Sequence, residues 1–383
     1  MKLSIVVPVY NTRSYLGACL QSIMDQTCQD IEILVIDDGS TDGSDEVVKE
    51  FADKDSRVIY IRQENKGLIG ARRTGVWHAS GEFLMFVDSD DWIDQGMAEF
   101  LLQQIQDADM VTSGVHYETN VEMVIEYLDQ YDEGEYCGTD KDLFLKTMLY
   151  DMESDTLQRL TPWIWNKLYR TQIAKQIYDE LNTDNAFAED GVFLYNYLIR
   201  CGSVRICHQC FYHYRYRKDS MFHGGNPHML SDINKAYLAL LPGFDGHPLR
   251  DSLLPQLWHW ISVTAVMAVN GGMGFDSQIH IPEFMIDTDG LSGKKIVLYG
   301  AGKAGQDYYR QLVKMGYEIV LWVDSNNSRI EKVKKPDEIL NVEYDIILIS
   351  VSRPEYVESI RQSLREIGIG EEKLMWKKPV RAM

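Results

Sequence analysis

Four consecutive residues, Asp88-Ser89-Asp90-Asp91, carry the sharpest chemistry in the chain. Carboxylates one residue apart, on a turn just past an apolar strand, can reach a single hard cation. Such a cation takes oxygen ligands octahedrally and keeps positions open for phosphate oxygens. Asp37 and Asp38 close a neighbouring apolar run and offer acceptors to the N–H and hydroxyl groups of a nucleoside. Arg72 and Arg73, on the helical stretch after Gly67, are the nearby positive charges. A metal-bridged nucleoside diphosphate would suit this set of groups.

The elements needed to gather these residues are legible around them. Leu3–Val9, Ile31–Ile36, Arg57–Ile61 and Glu82–Val87 are short, nearly continuous apolar runs, as expected of parallel strands covered on both faces. Helical patterns separate them at Tyr15–Asp25, Ser44–Ala52 and Leu68–His78, with Thr41 and Asp42 placed to cap the second. In an open parallel sheet the carboxyl ends of the strands form one rim, where ligands sit. Loops at residues 8–11, 37–42, 63–67 and 88–91 therefore converge by topology.

Read together, Val6-Val7-Pro8-Val9-Tyr10-Asn11, Ile36-Asp37-Asp38-Gly39-Ser40-Thr41-Asp42, Asn65-Lys66-Gly67, Ala71-Arg72 and Val87-Asp88-Ser89-Asp90-Asp91 resemble the motifs of bacterial family 2 glycosyltransferases with the GT-A fold. The resemblance implies an inverting transfer of a sugar from a nucleotide-diphosphate donor, most often UDP, with Mg²⁺ or Mn²⁺. The implied acceptor is a glycan or a lipid-linked sugar in surface polysaccharide synthesis. By position, Asp38 would bind the base, Arg72 the base or diphosphate, and Asp88 the ribose or metal-bound water. Asp90 would bind the metal, with Asp88 beside it and Asp91 a rival ligand. Pro8, Tyr10, Asp37, Lys66 and Ser89 complete the implied donor site.

Beyond a helix over Asp94–Gln106, the alternating runs Met110–Tyr117 and Val121–Leu128 suggest a hairpin turning at Thr119-Asn120, and the acidic stretch Asp129–Asp142 reads as a loop. The aromatic block Thr161–Tyr169 is either core packing or a platform for a sugar face. Glu189 and Asp190 start a helical pattern, where carboxylates are ordinarily caps. An inverting transfer also needs a carboxylate to take the acceptor proton. A helix N-terminus would keep it ionised. The resemblance makes Asp190 that base and Glu189 its support. It also places Arg217 and Ser220 over the departing diphosphate. Cys201, Cys207, Cys210, His208 and His213 hold one Cys-x-x-Cys and no second pair, so a strand with buried cysteines is favoured over zinc.

Residues 227–279 read as helical, and a second nucleotide-type pattern follows. Gly300, Gly302 and Gly305 form Gly-x-Gly-x-x-Gly between a strand and a helix, with Asp324 about 20 residues on, as in dinucleotide sites. The expected organisation is α/β: a GT-A Rossmann-like domain over 1–222, a helical bridge over 223–290, and a small Rossmann-like domain over 291–383. The tail is expected to serve regulation, nucleotide binding or assembly, or to be an empty Rossmann half.

The 383-residue chain suits two domains. Its formal charge of −20 argues against sequence-independent nucleic-acid binding. Six unpatterned cysteines and no signal peptide suggest reduced thiols in a cytoplasm, at the inner face of the membrane if the acceptor is lipid-linked. Three rival functions are weighed, of which a non-enzymatic sensor with a decayed transferase domain is disfavoured by the intact acidic positions. A nucleotidyltransferase would open with a Gly-rich, Arg-containing loop, unlike Pro8–Asn11, and an NAD-dependent oxidoreductase would rest on the tail fingerprint.

Overall fold

The computed structural model describes residues 2–118, 124–151, 156–157, 159–181, 188–215, 229–271, 284–325, 330, 332–352 and 354–381. These fall into two units, one holding Met1–Ala268 and the other Phe275–Met383.

The first unit opens β1 (Leu3–Val9), α1 (Arg13–Met24), β2 (Ile31–Asp37), α2 (Ser44–Lys54), β3 (Val58–Arg62), α3 (Gly67–His78) and β4 (Phe83–Phe86). Every residue of β1, β2 and β4 is buried, so alternation is absent from their sequences for a physical reason: both faces are covered. β3-β2-β1-β4 pair in parallel, which puts the four carboxyl-end loops on one rim.

The next elements are β5 (Trp92–Ile93), α4 (Met97–Ile105), β6 (Met110–Glu118), β7 (Val124–Tyr127), β8 (Gly134–Cys137), α5 (Gly138–Leu145), a short pair β9 (Tyr150–Asp151) and β10 (Thr156–Leu157), β11 (Lys167–Arg170), α6 (Thr171–Glu180), α7 (Glu189–Leu198) and β12 (Ser203–Arg215). They extend the sheet in the order β4-β11-β6-β12-β5, with β7 on β6 and β8 on β12. β11 runs antiparallel to β4 and β6, while β12 runs parallel to β6. The hairpin of β6 and β7 forms as expected, though its turn lies outside the described residues.

The acidic stretch expected to be a loop instead contains β8 and the start of α5. β8 is an edge strand whose Tyr136 packs on Tyr131 and Phe144, so neither alternation nor a helical stripe marks it. The expected cap of α2 is also rearranged. Gly43, at φ 87°, takes the cap position, and Asp42 accepts from the Ser44 N–H at 3.0 Å. Two long helices, α8 (Met229–Asp245) and α9 (Arg250–Gly271), follow. Leu240, Phe244, Leu253, Leu257 and Trp260 join the core of the first unit. No helix among the described residues is long and apolar enough to cross a membrane.

In the second unit, β13 (Phe284–Met285) precedes β14 (Lys295–Tyr299), α10 (Lys303–Lys314), β15 (Glu318–Val323), β16 (Val333–Lys334), β17 (Ile346–Ile349), α11 (Glu355–Glu366), β18 (Leu374–Trp376) and β19 (Val380–Arg381). A five-stranded parallel sheet, ordered β16-β15-β14-β17-β18, separates two apolar clusters of its own. The second sheet and the β3-β2-β1-β4 part of the first are thus the parallel, helix-flanked kind that the sequence led us to expect, while the rest of the first sheet is mixed.

Candidate active site

The rim loops are tied to one another before any ligand is considered. Asn11, at φ 53°, accepts from the Thr41 N–H through Oδ1 at 2.9 Å, and its own N–H donates to Ser40 Oγ at 3.1 Å. Thr12 Oγ1 donates to Ser89 Oγ at 2.9 Å, joining the first and fourth loops. Pro8 is buried in β1, whereas the Tyr10 ring at the strand end is 52% exposed.

Asp37 and Asp38 divide their labour. Asp37 is fully buried and holds its own loop, accepting from the Ser40 N–H at 2.8 Å and the Tyr60 hydroxyl at 3.0 Å. Asp38 accepts from Gln63 Nε2 at 2.6 Å and from the Lys66 N–H at 2.9 Å, which fixes the third loop against the second. The Lys66 side chain itself is exposed.

Asp88, Asp90 and Asp91 are separated by their surroundings. Asp91 is 1% exposed and spoken for: Oδ2 accepts from the Tyr212 hydroxyl at 2.8 Å and Oδ1 from the Arg215 N–H at 2.8 Å. Burial, then the charges of Asp90 and Asp88, hold its carboxyl well above the usual carboxylate range. Asp88 and Asp90 are partly exposed. Two of these three carboxylates are therefore partly accessible as hard oxygen donors. That donor set fits Mg²⁺ or Mn²⁺, with Asp88 and Asp90 as the residues able to hold it.

Arg72 is the hub of the site. Its side chain is 1% exposed, so its charge needs partners inside the protein. Nη2 donates to Asp88 Oδ1 at 2.9 Å, Nη1 donates to Asp190 Oδ1, and Glu189 Oε1 lies 3.7 Å from Nη1. The guanidinium also sits 5.9 Å above the Phe86 ring. Arg73, by contrast, turns to the Asp179 carbonyl and the Trp77 ring. The second positive charge at the rim is Arg215, whose Nε donates to the Asp90 carbonyl at 2.8 Å.

Glu189 and Asp190 open α7, as the sequence predicts, but for Glu189 burial outweighs the pull of its own N–H at the helix terminus. Burial raises both carboxyls, Glu189 to about 7, with Asp190 adding to the rise of Glu189. The Arg72 guanidinium is the largest influence pulling each back toward ionisation. Ala188, at φ 52°, presents the pair, and the carbonyl of Ala188 accepts the first helical bond.

The aromatic block proves to be mostly core. Trp165 is 2% exposed and Tyr169 fully buried, while Trp163 is partly buried and stacks on Trp165 with centroids 5.1 Å apart. Lys167 is buried, donating to the Trp163 carbonyl at 2.6 Å and to Asn166 Oδ1 at 2.8 Å, and burial lowers it to about 8. Arg217 and Ser220 lie outside the described residues.

Sequence reasoning missed the roles of Tyr212, Arg215 and Thr12. The Tyr212 hydroxyl also accepts from the Asp88 N–H at 3.0 Å, so one buried ring holds both ends of the aspartate turn. The signals were the position of Tyr212 near the end of an alternating strand and the resemblance of the run Tyr212–Ser220 to a Tyr-x-x-Arg…Ser block, from which only Arg217 and Ser220 were singled out.

In the second unit, Gly300 at φ 111° and Gly305 make the tight strand-to-helix turn: a Cβ on Gly305 would overlap the Gly300 carbonyl. Gly302 caps α10. Asp324, partly exposed, accepts from the Ala301 N–H of that turn through Oδ2 at 2.6 Å.

A parallel sheet with a charged rim, extended by antiparallel strands, is the GT-A fold. It matches TarS residues 1–349 of S. aureus, solved with UDP, at a TM-score of 0.51 and 19% identity, covering 68% of this chain and 71% of that one. The same fragment without ligand gives 0.53 at 17% identity, covering 70% and 79%. The family model for Glycosyl transferase family 2 matches residues 4–177.

Among curated relatives, glycosyltransferase GlyA of Streptococcus pneumoniae is 35% identical over 66% of this chain and 36% of its own length. The putative glycosyltransferase EpsH of Bacillus subtilis is 33% identical over 57% and 62%. The chain thus spans about a third to under two thirds of these relatives. Residues 292–375 match a separate family model, C2185-like, N-terminal.

Proposed function

We propose that the chain is an inverting glycosyltransferase that moves a sugar from a nucleotide-diphosphate donor to a glycan or lipid-linked acceptor in surface polysaccharide synthesis. The observation that carries this reading is the Arg72 bridge. One buried guanidinium holds Asp88 of the aspartate turn and Asp190 at the start of α7, so the donor end and the proton-accepting end share one rigid fork. Asp190 takes the proton of the acceptor hydroxyl as that oxygen bonds to the anomeric carbon and the bond to the diphosphate oxygen breaks. Arg72 opposes the effect of burial on Asp190 and favours the ionised form that a base needs. Glu189 lies beside it as support.

Asp90 with Asp88 would hold Mg²⁺ or Mn²⁺, which offsets the charge growing on the diphosphate. Asp38 and Tyr10 lie on the rim where a base would dock. TarS was solved with UDP and with UDP-GlcNAc, which supports a uridine donor here. The two aromatic rings nearest the open side of the block, Trp163 and the exposed Tyr127, 5.8 Å apart, suit an acceptor sugar face.

The test is turnover. The full chain with Mn²⁺, a panel of nucleotide sugars and glycan acceptors should release nucleoside diphosphate from a UDP-sugar. Asp190→Asn and Asp90→Asn should each lower the rate by at least about 100-fold, the scale of a lost general base. Full activity in both variants would overturn the assignment.

A further inference from the structure

On the face of β12 opposite Tyr212, four side chains line up across four strands. Trp92 of β5, His213 of β12, His116 of β6 and Glu126 of β7 are successive register partners. Because side chains alternate along a strand, His213 points away from the aspartate turn that Tyr212 holds. Asp94, two residues beyond the start of β5, and Glu118, two beyond His116, complete the cluster. Nδ1, Nε2 or carboxylate oxygens of Asp94, His116 and His213 lie within 4.8 Å of one another.

We infer that Asp94, His116 and His213 form a second metal site, for zinc or a similar borderline cation, separate from the donor rim. Three observations carry it. Glu118 Oε1 faces His213 Nδ1 at 2.8 Å, the carboxylate–histidine arrangement that fixes the tautomer and frees the other nitrogen for a metal. That other nitrogen, Nε2, lies 3.2 Å from Asp94 Oδ1, close to the edge of about 3.3 Å between two ligands of a tetrahedral zinc. Third, the Nδ1 atom of His116 is buried with no hydrogen-bond partner, in a ring 4.7 Å from that of His213. A buried unpaired nitrogen is costly, and coordination would satisfy it. Imidazole donors on neighbouring strands β6 and β12, with a carboxylate just past β5, select zinc over the magnesium or manganese expected at the all-oxygen rim. An ion here pins β5, and with it the chain leaving Asp91, to β12 and β6.

Zinc uptake by the intact chain, freed of metal with a chelator and held without nucleotide, tests this. One equivalent of Zn²⁺ should bind to the unaltered protein and equally to Asp90→Asn. Affinity should fall at least about ten-fold in His213→Gln and His116→Gln. Asp94→Asn, on a side chain 51% exposed, should show the same loss if a histidine variant fails to fold. Co²⁺ in the same site should give the intense visible absorption of a four-coordinate ion. Uptake that survives the Asp94 and histidine changes, uptake abolished by Asp90→Asn, or only the weak spectrum of six-coordinate cobalt would overturn the site.

Discussion

At the scale of single residues, the site is governed by what burial does to charge. Arg72 has three carboxylates around it because a guanidinium at 1% exposure cannot stand alone. Glu189 is the weakest-held of these, at 3.7 Å, and its carboxyl rises to about 7. A carboxyl raised on folding binds its proton more tightly in the native state, so its contribution is full below pH of about 4.5 and is lost as pH climbs through about 7. Glu189→Gln removes that dependence. The variant should gain stability relative to the parent between pH 5 and pH 8, by about 1–3 kcal/mol, in urea unfolding at several pH values. An unchanged difference across that range would show that Glu189 is not perturbed.

At the scale of elements, β12 does more than close the sheet. Its bulge between Ile206 and Tyr212 resets the register so that Tyr212, His213, Tyr214 and Arg215 face Val115, His116, Tyr117 and Glu118. The reset sends Tyr212 and the Arg215 N–H to Asp91 and the Arg215 guanidinium to the Asp90 carbonyl. Phenylalanine in place of Tyr212 keeps the ring, which stacks on Trp165 with centroids 4.0 Å apart, and deletes the hydroxyl. Tyr212→Phe should cost about 1–3 kcal/mol by leaving Asp91 Oδ2 and the Asp88 N–H unpaired. It should also weaken uptake of UDP with Mn²⁺ in calorimetry, because the aspartate turn loses its anchor. A variant equal to the parent in both measurements would remove β12 from the site.

At the scale of the whole molecule, the two units have separate cores, one built on the long mixed sheet and one on two clusters flanking the five-stranded sheet. Damage to the second should therefore leave the first able to turn over. Gly305→Ala forces a methyl group into the Gly300 carbonyl, with a cost of about 1–3 kcal/mol for overpacking. Scanning calorimetry of the full chain should show a lowered transition for the second unit alone, with donor turnover unchanged. Loss of turnover in step with that transition would mean that the second unit supports the transferase site directly. The net charge of −20 makes this balance of small terms sensitive to bound cations at the acidic rim.

Much of this was already written in the order of residues. β1, β2 and β4 are apolar runs with polar ends, and a parallel sheet turns that pattern into a rim by topology, so Asp38, Asp88, Asp90 and their loops could be placed from local information. The helix bearing Asp190 was legible for the same reason, since its stripe and its acidic start are contiguous. What tertiary structure alone decided were the partnerships across long separations: Arg72 with Asp190, Tyr212 with Asp91, His213 with His116. It also decided that Asp91 is enclosed while Asp88 and Asp90 are partly exposed, and that Asp324 accepts from the Ala301 N–H in the turn after the neighbouring strand. Spacing along the chain encodes which element a residue occupies. The charge state and the partner of a buried group depend on which distant element the core presses against it, and no local pattern carries that.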